Sequence, residues 1–127
     1  MSIQDLATEL YRDLLVYPRK EAKSYGTQRQ VEGTFQPGQR ALVIDGAITT
    51  GGAKLEAIAP LRAAGLVVED ILVVVDREQS GARTLSAAGL RLHSVLKIRE
   101  LLACLRTARA ISAEQEATAL ACIDADA

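Results

Sequence analysis

Ile3, Leu6, Ala7 and Leu10 recur at i, i+3, i+4 and i+7, the spacing that lines one face of a helix. Ser2 to Asp5 ahead of them has capping-box spacing, so the pattern predicts an opening helix that ends near Arg12. Leu14 to Tyr17 is a short apolar run stopped by Pro18. Proline disfavours helix at the residue before it, and the run reads as a buried strand. A polar stretch over residues 18–40 follows, with Gly26, Gly33, Pro37 and Gly38. It predicts a long loop or hairpin excursion, which is uncommon inside a compact domain unless it covers or completes a site.

Ala41 to Ile44 is a continuous apolar strand, and Leu55, Ile58 and Ala59 mark a helix that Gly65 would stop. Ile71 to Val75 is uniformly apolar and β-branched, as in a strand covered on both faces of a parallel sheet. Thr84 to Ala88 suggests a short helix, Leu92 to Leu96 a fourth strand, and Ile98, Leu101, Leu102 and Leu105 another amphipathic helix. Ser112 caps a last helical segment with Glu114 and Glu116 in its first turn, and residues 112–127 form that helix and an acidic tail. Strands alternating with helices predict an α/β fold, a small, mainly parallel four-stranded sheet flanked by helices. The chain shows no repeat or linker, so residues 1–127 read as a single domain.

Composition narrows the function classes. With 127 residues, 49% of them apolar, and a formal net charge of -1, the chain has no global field to hold nucleic acid or an anionic membrane. Four aromatics are too few for a base-stacking platform. No apolar stretch is long enough to span a bilayer and Met1 is not followed by a signal pattern, so the expectation is a soluble, cytoplasmic protein. Cys104 and Cys122 lack metal-ligand spacing and read as small buried hydrophobes. His93, the only histidine, sits in an apolar run and reads as structural.

Any anion site must therefore be local. In open α/β sheets ligands bind beyond the carboxyl ends of the strands, and three predicted strands end in polar clusters: Arg19-Lys20, Asp45 through Gly52, and Asp76-Arg77. The middle cluster runs from a strand through a Thr-Thr-Gly-Gly turn into a helix, so backbone N–H groups, two hydroxyls and a helix N-terminus can surround a phosphate. Asp45 cannot ligate an anion but can accept hydrogen bonds from sugar hydroxyls or hold a hydrated Mg²⁺.

The run Ala41-Leu42-Val43-Ile44-Asp45-Gly46-Ala47-Ile48-Thr49-Thr50-Gly51-Gly52-Ala53 resembles the phosphoribosyl-pyrophosphate (PRPP) binding motif of the type I phosphoribosyltransferases. Arg19-Lys20-Glu21-Ala22-Lys23 before Gly26 is similar to the mobile catalytic loop of the orotate phosphoribosyltransferase family, and Asp76-Arg77-Glu78 also matches. The resemblance covers nearly the whole chain from about Ile3. It implies a glycosyltransferase of pyrimidine nucleotide synthesis that moves ribose 5-phosphate from PRPP to orotate, giving orotidine 5-phosphate and pyrophosphate, with Mg²⁺ bound mainly through PRPP and no direct protein ligand to the metal. Thr49 to Ala53 would cradle the 5-phosphate, and Asp45 would hold a ribose hydroxyl as one of the catalytic residues, with Gly46, Ala47 and Ile48 completing the PRPP motif. Arg19 and the catalytic Lys20 and Lys23 would reach pyrophosphate, Tyr25 would stand where the family often has His, and Thr49 and Arg77 would contact orotate. The implied assembly is a homodimer that shares this loop across subunits.

Two departures from the family pattern lower the expected activity. Gly46 replaces a second acid, and losing a hydrogen bond to a charged group costs ~1.5–3 kcal/mol. The chain also begins at the helix preceding the family's loop-bearing strand, so it reads as an N-terminally truncated homologue with an unpaired strand edge. The alternative is a catalytically inactive paralogue or remnant that binds PRPP or nucleotide as a sensor or partner subunit.

Overall fold

Three strands are built from the β-branched and aliphatic runs: β3 (Arg40–Ile48), β4 (Val67–Asp76) and β5 (Arg91–Lys97). They form one parallel sheet in the order β3-β4-β5, with a register shift between Ala41 and Leu42 of β3. The computed structural model of the chain describes residues 16–18 and 31–126. The crossovers are α1 (Gly52–Ala63) and α2 (Gly81–Ala87). Both connections step the same way along the sheet, so the right-handed rule puts both helices on one face. Ile58 and Leu61 of α1 and Leu85 of α2 accordingly join Val68, Ile71 and Val73 in one core. Leu42, Ile44, Val74 and Val95, on the opposite sheet face, are exposed among the described residues.

Helix ends follow local chemistry. After α1, Gly65 takes φ +97°, donating to Arg62 O (3.0 Å) while Leu66 N–H reaches Leu61 O (3.1 Å), the paired closure that glycine permits. Two further helices, α3 (Ile98–Thr107) and α4 (Ala113–Ala125), pack on each other beyond β5. Ser112 Oγ accepts from Gln115 N (3.1 Å) while Gln115 Oε1 accepts from Ser112 N (2.8 Å), so the cap expected at Ser112 is a reciprocal one.

The structure corrects three expectations. The run Ile71 to Val75 is covered on one face only, Ile71 and Val73 being buried while Val74 on the other face is exposed. The parallel sheet has three strands among the described residues, because β1 (Tyr17–Pro18) pairs antiparallel with β2 (Val31–Glu32) in a separate ribbon. Pro18 lacks the N–H that a central ladder position requires, which suits a short edge ribbon. Cys104 and Cys122 are exposed rather than buried. Cys104 lies off the partly buried stripe of Ile98, Leu101, Leu102 and Leu105, and Cys122 lies beside Ile123, which is the buried position of α4. The opening helix and residues 19–30 of the predicted loop lie outside the described residues.

Candidate functional site

Register brings two of the three polar clusters together: Ile48 at the end of β3 pairs with Asp76 at the end of β4. Beyond that pair the two loops bond directly, Arg77 N to Ile48 O at 3.1 Å and Gly81 N to Thr49 O at 2.9 Å. Thr49 and Arg77 therefore stand on one rim, at the carboxyl ends of adjacent strands. The third cluster, with Arg19, Lys20, Lys23 and Tyr25, lies outside the described residues.

The turn after β3 is an anion cradle in form. Gly51 is the N-cap of α1 at φ +88°, a conformation that glycine adopts without the steric cost other residues meet. A Cβ there would also lie 3.3 Å from Gly81 O and from Thr84 Cβ. Among the described residues no side chain caps α1, and its first turn holds no acid, so its leading N–H groups are open to an external acceptor. Thr49, Thr50, Gly52 and Ala53 are exposed around them. Gly81 braces the turn from below: a Cβ on it would meet Thr49 O at 2.6 Å and Ile48 Cγ1 at 2.8 Å. Asp45, Gly46, Ala47 and Ile48 are the last four residues of β3, whose strand thus runs past the Ile44 boundary suggested by the apolar pattern.

Asp45 is not alone. Its Oδ2 lies 2.5 Å from Lys54 Nζ, and its Oδ1 accepts the Gly46 N–H at 2.6 Å. Burial is the largest influence on this carboxyl and pushes its pKa up, but the Lys54 hydrogen bond, the Gly46 N–H and the Lys54 charge together outweigh it and hold the pKa below its ordinary value. Lys54 is the residue that sequence reasoning missed. The available signal was a cation in the first turn of a helix, where the macrodipole disfavours positive charge.

On the other loop Asp76, 7% exposed, accepts from Glu78 N at 2.8 Å and closes a turn that carries exposed Arg77. A cavity of about 410 Å³ lies elsewhere, on the open sheet face near the strand starts, bounded by Arg40, Leu42, Asp70, Leu72 and His93. Ligands of open α/β sheets bind at the opposite end of the strands, so this cavity is not the candidate site. There the exposed His93 places its Nε2 2.9 Å from Asp70 Oδ1.

No family model matches the chain. It is 48% identical over 91 residues to the orotate phosphoribosyltransferase of Pyrobaculum aerophilum, a match covering 71% of this chain and 47% of that protein. The solved Leishmania donovani UMP synthase superposes with a TM-score of 0.82 at 35% identity, over 95% of this chain and 26% of that one. The Mycobacterium tuberculosis orotate phosphoribosyltransferase solved in complex with PRPP gives a TM-score of 0.53 at 36% identity, over 59% of this chain and 46% of that one. Over the stretch they share, the chain is a homologue of the orotate phosphoribosyltransferases. It spans between about a quarter and a half of the length of these relatives. The orotate phosphoribosyltransferase likeness includes the fold, a parallel sheet with its crossover helices as in the type I phosphoribosyltransferases.

Proposed function

We propose that the chain, a single domain over residues 1–127, takes part in transfer of ribose 5-phosphate from PRPP to orotate as an orotate phosphoribosyltransferase of pyrimidine synthesis. The observation that carries this reading is the turn from Thr49 to Ala53, a helix N-terminus with a left-handed glycine cap and, among the described residues, no side-chain acceptor, beside Asp45 and Arg77 on one rim. In the reaction the bond from ribose C1 to the pyrophosphate oxygen breaks, with the electron pair leaving on pyrophosphate. The deprotonated ring nitrogen of orotate then bonds to C1.

Thr49 to Ala53 hold the 5-phosphate, Asp45 holds a ribose hydroxyl, and Arg77 with Thr49 faces the anionic base. Arg19, Lys20 and Lys23 neutralise charge building on pyrophosphate, with Tyr25 beside them as a hydrogen-bond donor. The described residues contain no cluster of three His, Cys, Asp or Glu side chains, and Asp45 is already engaged by Lys54. Mg²⁺ enters as part of the Mg–PRPP substrate, bound mainly through PRPP. The working form is a cytoplasmic homodimer, with β3 an edge strand of the sheet among the described residues, and neither nucleic acid nor membrane is a partner. Among the described residues no helix is long and apolar enough to cross a membrane.

A second reading, a binding-only paralogue acting as a sensor or partner subunit, is favoured by Gly46 and by the occupied Asp45 carboxylate. Calorimetric titration with PRPP and Mg²⁺, followed by an orotate-consumption assay, tests both. Saturable binding that Thr49→Ala weakens supports the cradle, and absence of binding by the intact chain refutes it. Turnover that rises in Gly46→Asp supports the enzyme, whereas binding without turnover in either form supports the sensor.

A further inference from the structure

Glu78 sits beside Arg77 in a left-handed conformation, φ +54°, which is costly for a residue with a long side chain. Such a conformation persists only where its surroundings hold it in place. The next residue adds to the burden: Gln79 Oε1 is buried without a hydrogen-bond partner among the described residues, another unfavourable feature in the same turn. Besides the backbone bonds of Arg77 and Gly81 to the end of β3, two side-chain contacts hold this turn. One is the buried carboxylate of Asp76, which accepts Glu78 N–H. The other comes from the start of α3, which follows the neighbouring strand β5 at the same end of the sheet.

The Glu78 carboxylate accepts the backbone N–H of Arg99 at 3.2 Å and lies 3.5 Å from Arg99 Nε. Arg99 is the second residue of α3, so Glu78 supplies a second carboxylate acceptor to a helix start where Glu100 already accepts the Lys97 N–H at 3.4 Å and where negative charge is favoured. The Arg99 guanidinium continues to Asp124 Oδ1 at 2.5 Å, in the last turn of α4. A carboxylate in the C-terminal helix is thereby linked, through one arginine, to the strained turn at the strand ends.

We infer that Arg99 and Asp124 are positioning residues, which fix the conformation of the turn over residues 76–80 and so the direction from which Arg77 approaches the rim. That the rim receives the base rests on the function proposed above; the restraint on the turn does not. Neither residue belongs to the PRPP cradle, so the restraint acts on one side of the site alone.

The test uses the full chain with Asp124→Asn, Arg99→Gln and the conservative Asp124→Glu. Amide hydrogen exchange of ligand-free protein is read for the peptide spanning residues 76–81, alongside KM for orotate and for PRPP. Asp124→Asn and Arg99→Gln are expected to speed exchange in that peptide about two- to fivefold, the range open to a part-exposed ion pair, with the cradle peptide over residues 49–53 unchanged and Asp124→Glu restoring protection. KM for orotate rises by a similar factor while KM for PRPP holds. Exchange that is unchanged in residues 76–81 overturns the inference, whatever the activity. Faster exchange in a protein without transferase activity, or with an unaltered orotate KM, upholds the restraint and removes Arg77 from the base site.

Discussion

The Asp45–Lys54 pair predicts an asymmetry between its two halves. Lys54 is only 13% exposed, whereas Asp45 is 51% exposed. Removing the lysine leaves a carboxylate that water can solvate and that keeps the Gly46 N–H. Removing the carboxylate leaves a largely covered ammonium, on the first turn of α1, without its counter-ion. An exposed ion pair contributes ~0.2–1 kcal/mol, so Lys54→Met should cost at most about 1 kcal/mol. An uncompensated charge in a wholly buried pair costs about 3–5 kcal/mol, and the half-open position of Asp45 reduces this for Asp45→Asn to roughly 1.5–3 kcal/mol. Urea unfolding followed by circular dichroism at neutral pH measures both. The pH dependence supplies a second reading. Because the folded pKa of Asp45 is depressed, its stabilisation is present above the unfolded carboxylate value near ~3.9 and is lost as pH falls through the lower folded value. The gap between wild type and Asp45→Asn should therefore narrow below about pH 4. Equal costs for the two variants, or a gap that widens in acid, would refute the reasoning.

Two other substitutions probe how the cradle and the C-terminal hairpin are held. Gly81→Ala would gain up to ~1 kcal/mol of helix propensity, but its Cβ meets the Thr49 carbonyl at 2.6 Å, and such overpacking costs ~1–3 kcal/mol; a lower urea midpoint with weaker PRPP binding is expected, and a stabilised variant would contradict the bracing role. Ser112→Ala removes the reciprocal cap of α4 and should cost ~0.5–2 kcal/mol, read as a lower Tm with PRPP affinity unchanged.

How much was legible in the sequence follows from the range over which each signal acts. The helix after Gly51, its stop at Gly65 and the cap at Ser112 are set within a few residues, and periodicity and capping chemistry located them. Strand type was equally local, since β4 contains the aliphatic run Ile71 to Val75 and β5 alternates partly buried and exposed positions around Leu92, Val95 and Leu96. The partner of the run ending at Pro18 was not, because pairing is decided between segments and the proline removes a donor that only the assembled sheet would need. Cysteine burial failed for a related reason: a small apolar residue on a helix is covered only if its face is covered, and α4 buries Ile123 while Cys122 turns away.

The site divides along the same line. Thr49 to Ala53 form a contiguous motif whose geometry follows from one left-handed glycine, so their residue types announce it. What holds the motif in place is not contiguous: Lys54 reaches back to the strand end, Gly81 admits the Thr49 carbonyl, and Glu78 borrows support from Arg99. Each of these breaks a local preference, a cation at a helix start, a glycine in a helix's first turn, a left-handed glutamate. Local conflict of this kind persists when a tertiary contact compensates for it. Lys54, Gly81 and Glu78 therefore stand out from the motif before their contacts are known, and all three compensating contacts converge on the ends of β3 and β4. That convergence is the physical reason to expect substitutions at these supporting positions to move ligand binding as well as stability.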